Sequence, residues 1–383
     1  INELTDMFVK HVRSEFGDGF VALHRPLFDS VEKHYLTRCI DNEFVSSAGN
    51  EIDEFEAKIC DITMSDYAKA TVTGTAALHL CLHALGVRST DEVITQRISF
   101  IATANAIAYC NASPVFIDVE DEYGTLCPIL LRSFLENDTT QVGDCRINKR
   151  TGRLIKACVV MHTFGHPARM LEIRQICDEF GLMLVEDAAE ALGSRIDSKH
   201  VGAFSHAAAY SFNGNKIITT GGGGCVTTND PALAKKVRHI STTAKVSHQY
   251  EYCHDELGFN YRMPNLNACL GLAQIEKFDY FLENKRQTAT KYHSLFVDTG
   301  VKFWVEKSGN KSNYWLNALS FKSKRDKDFF LKKTNSEQIM TRPVWQLLDK
   351  QPYFAKYTVV SNGNAERIYD TTVNIPSSVT KLI

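Results

Sequence analysis

The chain has 383 residues, which corresponds to roughly two to three domains and is enough to bury a large core. Its composition, 44% hydrophobic and 23% charged, is that of a globular protein and excludes disorder as the main state. Basic residues number 43 and acidic residues 45, so the formal net charge is -2 and a nucleic-acid partner is not expected.

Eleven cysteines are scattered along the chain, and no two of them form a Cys-x-x-Cys pair. Such a set favours reduced thiols in a cytoplasmic protein over a disulfide framework or a zinc site. The sequence also lacks an uninterrupted apolar stretch of about eighteen residues and a basic-then-apolar leader segment. We therefore expect a cytoplasmic protein that does not enter a membrane.

From about residue 70 to residue 230, short β-rich runs alternate with helix-like segments at the spacing of βαβ units. Residues 76–85 predict a helix that is apolar on nearly every side and stops at Gly86. A strand at 155–162, a helix from Pro167 to Phe180 and a strand at 182–187 predict one complete unit. These patterns predict an α/β fold with a mostly parallel sheet.

Past Asn265 the sequence changes character, with a long helical stretch predicted to about Phe296. A strand-like run at 314–321 and a Lys-rich helical run at 322–333 follow, the latter read as a solvated helix face. We predict a large α/β domain over 1–270 and a smaller α+β domain over 271–383. Roughly the first thirty residues can pack on the small domain.

Two histidine pairs could suggest a metal site. His79 and His83 would share one helix face, but the metallopeptidase pattern needs Glu where Leu80 stands, so we read them as core or rim residues. His162 and His166 have the same spacing, yet the glycine and proline around them exclude a helix. A metal site is not indicated.

Four consecutive glycines at 221–224 could suggest a nucleotide loop. A phosphate-binding loop needs Lys and Ser or Thr after its last glycine, and a dinucleotide fingerprint opens a helix, whereas here a strand-like run follows. We interpret the glycines as a tight turn that lets the backbone come close to a ligand.

Three other groups have the spacing of a cofactor site. Gly74 and Thr75 open a helix whose free N–H groups and dipole would hold a phosphate. Asp187 closes a hydrophobic strand, at the sheet edge where open α/β sheets bind ligands. Lys216 follows the strand-like run 207–212. A phosphate anchor, a carboxylate for a pyridine nitrogen and a lysine for a Schiff base are what pyridoxal phosphate requires.

The sequence resembles the DegT/StrS family of nucleotide-sugar aminotransferases over nearly its whole length. It contains seven sequence blocks in the same order as the family. The blocks are residues 44–49, 73–78, 99–105, 186–193, 211–224, 260–263 and 341–345. Within that family the sequence is most similar to the aminotransferases of legionaminic acid and related 4-amino-sugar pathways. The resemblance implies an aspartate aminotransferase-type fold (pyridoxal-phosphate fold type I), with a seven-stranded type of sheet flanked by helices.

The resemblance also implies roles for individual residues. Lys216 is the catalytic residue, to which pyridoxal 5'-phosphate is covalently bound, and Asp187 pairs with the pyridinium nitrogen. The other implied cofactor contacts are Phe100 on the ring, Gly74, Thr75 and Ser211 on the phosphate, Glu190 where relatives hold Gln, His or Glu, and Asn260 on the neighbouring subunit's phosphate. Ser46, Ser47 and Arg342 would face the nucleotide sugar. The resemblance thus implies a homodimer with shared active sites.

The implied reaction is a ping-pong transamination, since relatives that remove a sugar hydroxyl carry histidine where Lys216 stands. The amino group of L-glutamate passes through pyridoxamine phosphate to C4 of a 4-keto-6-deoxy sugar on a nucleoside diphosphate. The expected substrate is a UDP-2-acetamido-2,6-dideoxy-4-keto-hexose, for nonulosonic (legionaminic) acid or surface-polysaccharide (O-antigen) synthesis.

Alternatives stay open at this point. They are a GDP-linked sugar, as in perosamine synthesis, amination at C3, formation of an aromatic amine, and a non-catalytic regulatory protein with the same fold. The C2 substituent and the stereochemistry of the new amine are likewise undecided. The sequence departs from close relatives at Arg97 and Ile98, where Pro-Leu is frequent, so details beside the cofactor can differ.

Overall fold

The computed structural model describes residues 1–380. Its twelve α-helices in that range are α1 (Asn2–Phe16), α2 (Ser30–Asp41), α3 (Asn50–Thr63), α4 (Gly74–Ala84), α5 (Ile101–Tyr109), α6 (Pro128–Asn137), α7 (Met170–Glu179), α8 (Pro231–Ser241), α9 (Asn265–Ile275), α10 (Phe278–Phe296), α11 (Lys324–Ser336) and α12 (Asn364–Thr371).

Nineteen strands lie in the same described range. They are β1 (Tyr67–Thr71), β2 (Asp91–Gln96), β3 (Ser113–Ile117), β4 (Thr139–Val142), β5 (Cys145–Asn148), β6 (Leu154–Met161), β7 (Met183–Asp187), β8 (Arg195–Ile196), β9 (Lys199–His200), β10 (Ala207–Ser211), β11 (Gly224–Thr228), β12 (Lys245–Val246), β13 (Cys253–His254), β14 (Lys302–Phe303), β15 (Asn310–Lys311), β16 (Asn317–Ser320), β17 (Arg342–Pro343), β18 (Thr358–Val360) and β19 (Thr372–Ile375).

One large sheet forms the centre of the molecule, with its strands in the order β1, β11, β10, β7, β6, β2, β3, β18. All pairs from β10 to β18 are parallel. Strand β11 runs antiparallel to both β1 and β10, and the hairpin β4–β5 attaches to β6. This helix-flanked, mostly parallel sheet confirms the predicted α/β fold class.

The unit β6–α7–β7 follows the predicted order but not the predicted helix start. Helix α7 begins at Met170, so the start expected at Pro167 is wrong. A short turn at Thr163–Gly165 comes first, and His166 is extended (φ -82°, ψ 122°) because a residue before proline is kept out of the helical region. Gly181 lies two residues beyond the end of the helix with a φ of 69°, and β7 follows.

Hydrophobic side chains cover both faces of the sheet. On one face, Leu78 of α4 and Val237 of α8 belong to a buried cluster with β2 and β7. On the other, Leu131 of α6 and Ile173 of α7 pack with β3 and β6. Burial on both faces explains why the central strands are nearly continuous apolar runs, and it makes their carboxyl ends the accessible edge.

The long helix predicted from Asn265 to Phe296 is broken in two. Helix α9 ends at Ile275 and α10 begins at Phe278. At the break Lys277 contacts Glu32, and the side chain of Gln274 also donates a hydrogen bond to Glu32, at 2.5 Å. Contacts with α2 therefore hold the chain in the bend that divides the helical pattern.

A smaller sheet, with the order β14, β16, β19, β17, lies in the C-terminal part of the chain. It shares a buried cluster with α1 and α10, in which the ring of Phe8 lies 6.0 Å from Tyr292 and 4.9 Å from Phe330. Strand β18 instead extends the large sheet through its pairing with β3. The division into domains at residue 270 remains a prediction.

Two further observations concern the cysteine thiols and the apolar character of the helices. All eleven cysteines have free thiols, and eight of them are buried. Within residues 1–380, no helix combines the length and the apolar character needed to cross a membrane.

Candidate active site

A cavity of about 330 Å³ opens at the carboxyl edge of the large sheet. Met161, Asp187 and Ser211, the last residues of β6, β7 and β10, all line it. The other lining residues are Thr73, Gly74, Thr75, Leu78, Phe100, Ala102, Ala189, Glu190, Asn213, Asn215, Lys216, Gly222, Gly223, Trp315 and Trp345. Seven residues predicted to contact the cofactor or to catalyse therefore share one cavity.

The first turn of α4 has the kind of backbone N–H groups that bind anions at helix starts. Thr73 caps the helix by accepting a hydrogen bond from Ala76 N at 3.0 Å, and Gly74 and Thr75 supply backbone N–H groups at the helix start. A Cβ on Gly74 would lie 2.7 Å from the Cβ of Ser211, and one on Gly224 would lie 2.6 Å from Gly74 N. Only glycine at both positions lets the strand ends come this close to the helix.

Asp187 is a buried carboxylate without an ion-pair partner in the described part of the chain. Its Oδ2 accepts a hydrogen bond from Thr103 Oγ1 at 2.7 Å and its Oδ1 accepts one from Ala189 N at 3.2 Å. Burial raises the pKa of Asp187, and the hydrogen bonds offset this only in part. A protonated pyridine nitrogen would supply the cation that this carboxylate lacks.

Lys216 brings its amine to the same cavity. Its Nζ lies 3.2 Å from Glu190 Oε1 and 3.9 Å from the centroid of the Trp315 ring. The indole N–H of Trp315 donates to the carbonyl oxygen of Asn215 at 2.7 Å, which fixes the ring beside the loop that carries the lysine. Burial raises the pKa of Glu190 to about 7.

Aromatic residues close the outer side of the cavity. Phe100 is half exposed, and its ring lies 6.3 Å from that of Trp345, which packs on Phe164 at 4.9 Å. The half-exposed ring of Phe100 is thus free to cover a planar ligand. Its stacking on the cofactor stays a prediction.

Four predicted site residues do not line this cavity. Asn260 has an exposed side chain in the segment after β13, and its backbone bridges Thr242. Ser46 is exposed and Ser47 half-buried before α3, and Arg342 is exposed in β17, where it donates to Asn335 Oδ1 at 2.9 Å. Their predicted contacts with a partner's cofactor or a nucleotide sugar remain predictions.

Arg97, where the sequence departs from relatives, is not among the residues that line the cavity. Arg97 is fully buried and pairs with Asp118 at 3.1 Å, with Asp349 at 2.9 Å and with Glu366 at 2.5 Å. Burial opposes the charge, but the hydrogen bonds to these carboxylates raise the pKa of Arg97. The arginine therefore ties the C-terminal segment to the sheet, and none of these polar partners lines the cavity.

The two histidine pairs contact other side chains of the fold, and part of the glycine run lines the cavity. His79 lies against His83 and Phe259, with ring centroids 6.0 and 4.8 Å away. His162 Nε2 lies 3.0 Å from Glu186, and His166 stacks on Tyr123 at 5.2 Å. Of the glycine run, Gly222 and Gly223 line the cavity, in agreement with a turn that lets backbone approach a ligand.

Sequence reasoning missed three residues of the cavity region. Thr103 lies within a recognised block, and the hydroxyl that it holds toward Asp187 is one helical turn after Ser99. Trp345 also lies within a block. Trp315 lies in the run that the sequence predicts as a strand, but β16 begins only at Asn317, after Tyr314 with its φ of 47°. No local pattern signals that its ring contacts Lys216.

The chain is similar to known proteins over nearly its whole length. The sequence pattern of the "DegT/DnrJ/EryC1/StrS aminotransferase family" matches residues 27–380. GDP-perosamine synthase of Escherichia coli O157:H7 is 34% identical over 359 residues, covering 94% of this chain and 93% of that protein. EpsN of Bacillus subtilis (strain 168), whose name assigns it provisionally to the pyridoxal phosphate-dependent aminotransferases, is 36% identical over 335 residues, covering 87% and 84%.

Among solved structures, a DegT DnrJ EryC1 StrS aminotransferase from Brucella abortus superimposes with a TM-score of 0.83 at 25% identity. The superposition covers 91% of this chain and 90% of that one. The similarity therefore extends over the large sheet, the cavity and the C-terminal part together.

Proposed function

The chain belongs to the DegT/DnrJ/EryC1/StrS aminotransferase family, and from this premise we propose that it transfers the amino group of L-glutamate to C4 of a nucleoside-diphosphate-linked 4-keto-6-deoxy sugar. The family is pyridoxal phosphate-dependent, so the chain is a transaminase of the ping-pong type. The aspartate aminotransferase-type fold implied by the motifs is confirmed by the solved structures that superimpose on it.

One observation carries the proposal. The amine of Lys216, the carboxylate of Asp187 and the first turn of α4 converge on a single cavity. The cavity contains one lysine among its described lining residues, so Lys216 is the group that can bind an aldehyde covalently. The presence of lysine at this position supports amination over removal of a hydroxyl.

Each of the cavity residues would have a separate role in the reaction. Gly74, Thr75 and Ser211 would hold the phosphate, Asp187 would keep the pyridine nitrogen protonated, and Phe100 would cover the ring. When bound, pyridoxal phosphate is the electron sink that acidifies the Cα–H of the amino acid. The amine of Lys216, which lies beside Glu190, would accept the proton from Cα.

The identity of the sugar substrate is the more specific part of the proposal. The sequence blocks support a UDP-2-acetamido-2,6-dideoxy-4-keto-hexose for legionaminic acid or O-antigen synthesis. The relative named GDP-perosamine synthase supports a GDP-linked substrate as the second candidate. Both candidates are aminated at C4, which is why we place the new amine there. Ser46, Ser47 and Arg342 would contact the nucleotide sugar.

Assembly and location belong to the same proposal. A homodimer would bring Asn260 of one subunit to the cofactor phosphate of the other, which accords with its exposed position outside its own cavity. The free thiols accord with a reducing compartment, so the cytoplasm is the proposed location.

The test is a product assay with L-glutamate and UDP- or GDP-linked 4-keto-6-deoxy sugars, read by mass spectrometry and NMR. We expect a 4-amino sugar from the parent protein and none from Lys216→Ala, which lacks the covalent link and the proton carrier. The matched control is Lys199→Ala, whose lysine lies over Phe204 outside the cavity and should leave the product yield unchanged. Turnover by Lys216→Ala, or amination at C3, would contradict the proposal.

A further inference from the structure

A second ionisable group faces the lysine inside the cavity. Oε1 of Glu190 lies 3.2 Å from Lys216 Nζ, and the Glu190 side chain is fully buried. The contact is therefore a desolvated carboxylate–amine pair at the reacting nitrogen. An ordinary contact to a ring oxygen of the cofactor would need no ionisable group, because an amide could donate or accept there equally well.

The protein holds this carboxylate in place from two sides. Its second oxygen accepts a hydrogen bond from Phe164 N at 3.0 Å. Phe164 has a φ of 56°, a left-handed conformation that is costly for a bulky residue, and this conformation presents its N–H to the carboxylate. The backbone of Glu190 is fixed as well, because Asn313 Nδ2 donates to its carbonyl oxygen at 2.9 Å.

The loops that hold Glu190 pack closely against each other. A Cβ on Gly165, which follows the strained residue, would lie 1.9 Å from Asn313 Oδ1. The segment that holds Glu190 continues to Trp315, whose ring contacts the amine of Lys216. One stretch of chain, residues 313–315, thus fixes both members of the pair relative to each other.

We propose that Glu190 is a catalytic residue that accepts a proton from the Lys216 ammonium group and so frees the amine to act as the base. This inference rests on the proposed transamination. The step is a proton transfer in which an N–H bond of Lys216 breaks and an O–H bond forms at Oε1 of Glu190. It leaves a neutral amine and a carboxylic acid, and no electrons are exchanged.

The electrostatics of the pair suit such a transfer. Burial raises the pKa of Glu190 to about 7, while the nearby Lys216 lowers it and Asp187 raises it. Those two are the charged groups that face Glu190, since Phe164, Asn313 and Trp315 present only uncharged groups. A carboxyl group that titrates near the working pH is the best proton acceptor at that pH.

The kinetic test compares the parent holoenzyme with Glu190→Gln in the glutamate half-reaction. In the parent the rate should rise with pH to a plateau, with a midpoint of about 7, because Glu190 accepts a proton only when ionised. Glu190→Gln, which is isosteric and can still accept from Phe164 N, should lose this pH dependence and fall about tenfold to a hundredfold at the plateau.

The matched control is Glu120→Gln. Glu120 is also paired with a lysine, Lys307, at 3.0 Å, but lies outside the cavity, so this variant should keep the parent profile. An unchanged pH profile in Glu190→Gln would overturn the inference while leaving the aminotransferase assignment in place. If the parent itself formed no amino sugar, the proposed function would fail instead.

A measurement independent of turnover uses the protein loaded with pyridoxamine 5'-phosphate, in which the Lys216 amine is free. The infrared difference spectrum across a pH of about 7 should show a carboxylic acid band in the parent and in Glu120→Gln. The band should be missing from Glu190→Gln. A parent spectrum without such a band would mean that Glu190 does not take up a proton in this range, and would overturn the inference.

Discussion

A Cβ atom on Gly74 would lie 2.7 Å from the Cβ of Ser211, closer than two such atoms approach in folded proteins. The start of α4 and the end of β10 therefore meet at a distance that only glycine permits. Both residues line the same cavity, so the helix start and the Ser211 hydroxyl are available to one compact dianion.

Gly74→Ala should fold but bind pyridoxal phosphate about tenfold more weakly, because the added methyl group pushes the helix start from the strand end. The dissociation constant can be measured from the absorbance of the lysine-bound cofactor. Gly214→Ala is the control, since a Cβ there would have its nearest neighbour at 4.0 Å. Equal affinities in Gly74→Ala and the parent would show that the phosphate binds elsewhere.

Asp187→Asn should slow the glutamate half-reaction at least about a hundredfold, because an amide cannot keep the pyridine nitrogen protonated. The fold should survive, since the Asn oxygen can still accept from Ala189 N, while its Nδ2 can donate to the Thr103 hydroxyl. Stopped-flow absorbance measures the rate, and circular dichroism checks the fold. A loss smaller than tenfold would assign Asp187 a structural role only.

Arg97→Met should destabilise the protein by about 3–5 kcal/mol, because it removes the buried cation that pairs with the carboxylates of Asp118 and Asp349. Urea unfolding measures the loss. Arg132→Met is the comparison, since its pair with Glu179 is exposed to solvent and should contribute far less than the buried pairs. Similar losses of unfolding free energy in the two variants would mean that the buried ion pairs stabilise the protein no more than an exposed one.

Lys285→Met should change how stability depends on pH. Lys285 is buried, its Nζ donates to Ser377 O at 2.5 Å, and burial lowers its pKa to about 7. In the unfolded chain the value is about 10.4, so between these pH values the unfolded state binds a proton that the folded state does not. The free energy of unfolding should therefore rise from about pH 7 to about pH 10 in the parent.

The variant should lack that increment, as urea unfolding at neutral pH and at about pH 9 would reveal. Lys291→Met, on the same helix but with a half-exposed side chain, serves as the control and should keep the parent's slope. An identical slope in parent and Lys285→Met would mean that Lys285 stays charged in the fold.

The sequence predicts those parts of the site that depend on local patterns. Gly74 and Thr75 were identified because a helix start is visible in the sequence, and Asp187 because a parallel strand ends at it. The partners of Arg97 could not be predicted, since Asp349 lies 252 residues away and nothing near it shows where it packs. The same holds for Trp315 beside Lys216 and for the contacts with α2 that break the long helix.

The last prediction concerns assembly and rests on the position of Asn260. Its side chain is exposed, while the backbone on either side is fixed by hydrogen bonds from Phe259 N to Ile240 O at 2.6 Å and from Tyr261 N to Ser241 O at 3.0 Å. A rigid segment thus presents a polar group outside the cavity of its own chain. In a two-fold dimer the same segment can reach the other subunit's cavity reciprocally.

One hydrogen bond from Asn260 to a dianionic phosphate is worth roughly 1.5–3 kcal/mol, so Asn260→Ala should raise the cofactor dissociation constant about tenfold to a hundredfold. Asn137→Ala, on the exposed face of α6, should leave it unchanged. Dilution into the monomer range should release cofactor in parallel with dissociation, which sedimentation and absorbance can follow together. A monomer that is fully active, or an Asn260→Ala protein with the parent's affinity, would contradict a site shared between subunits, because the phosphate would then be held by one chain alone.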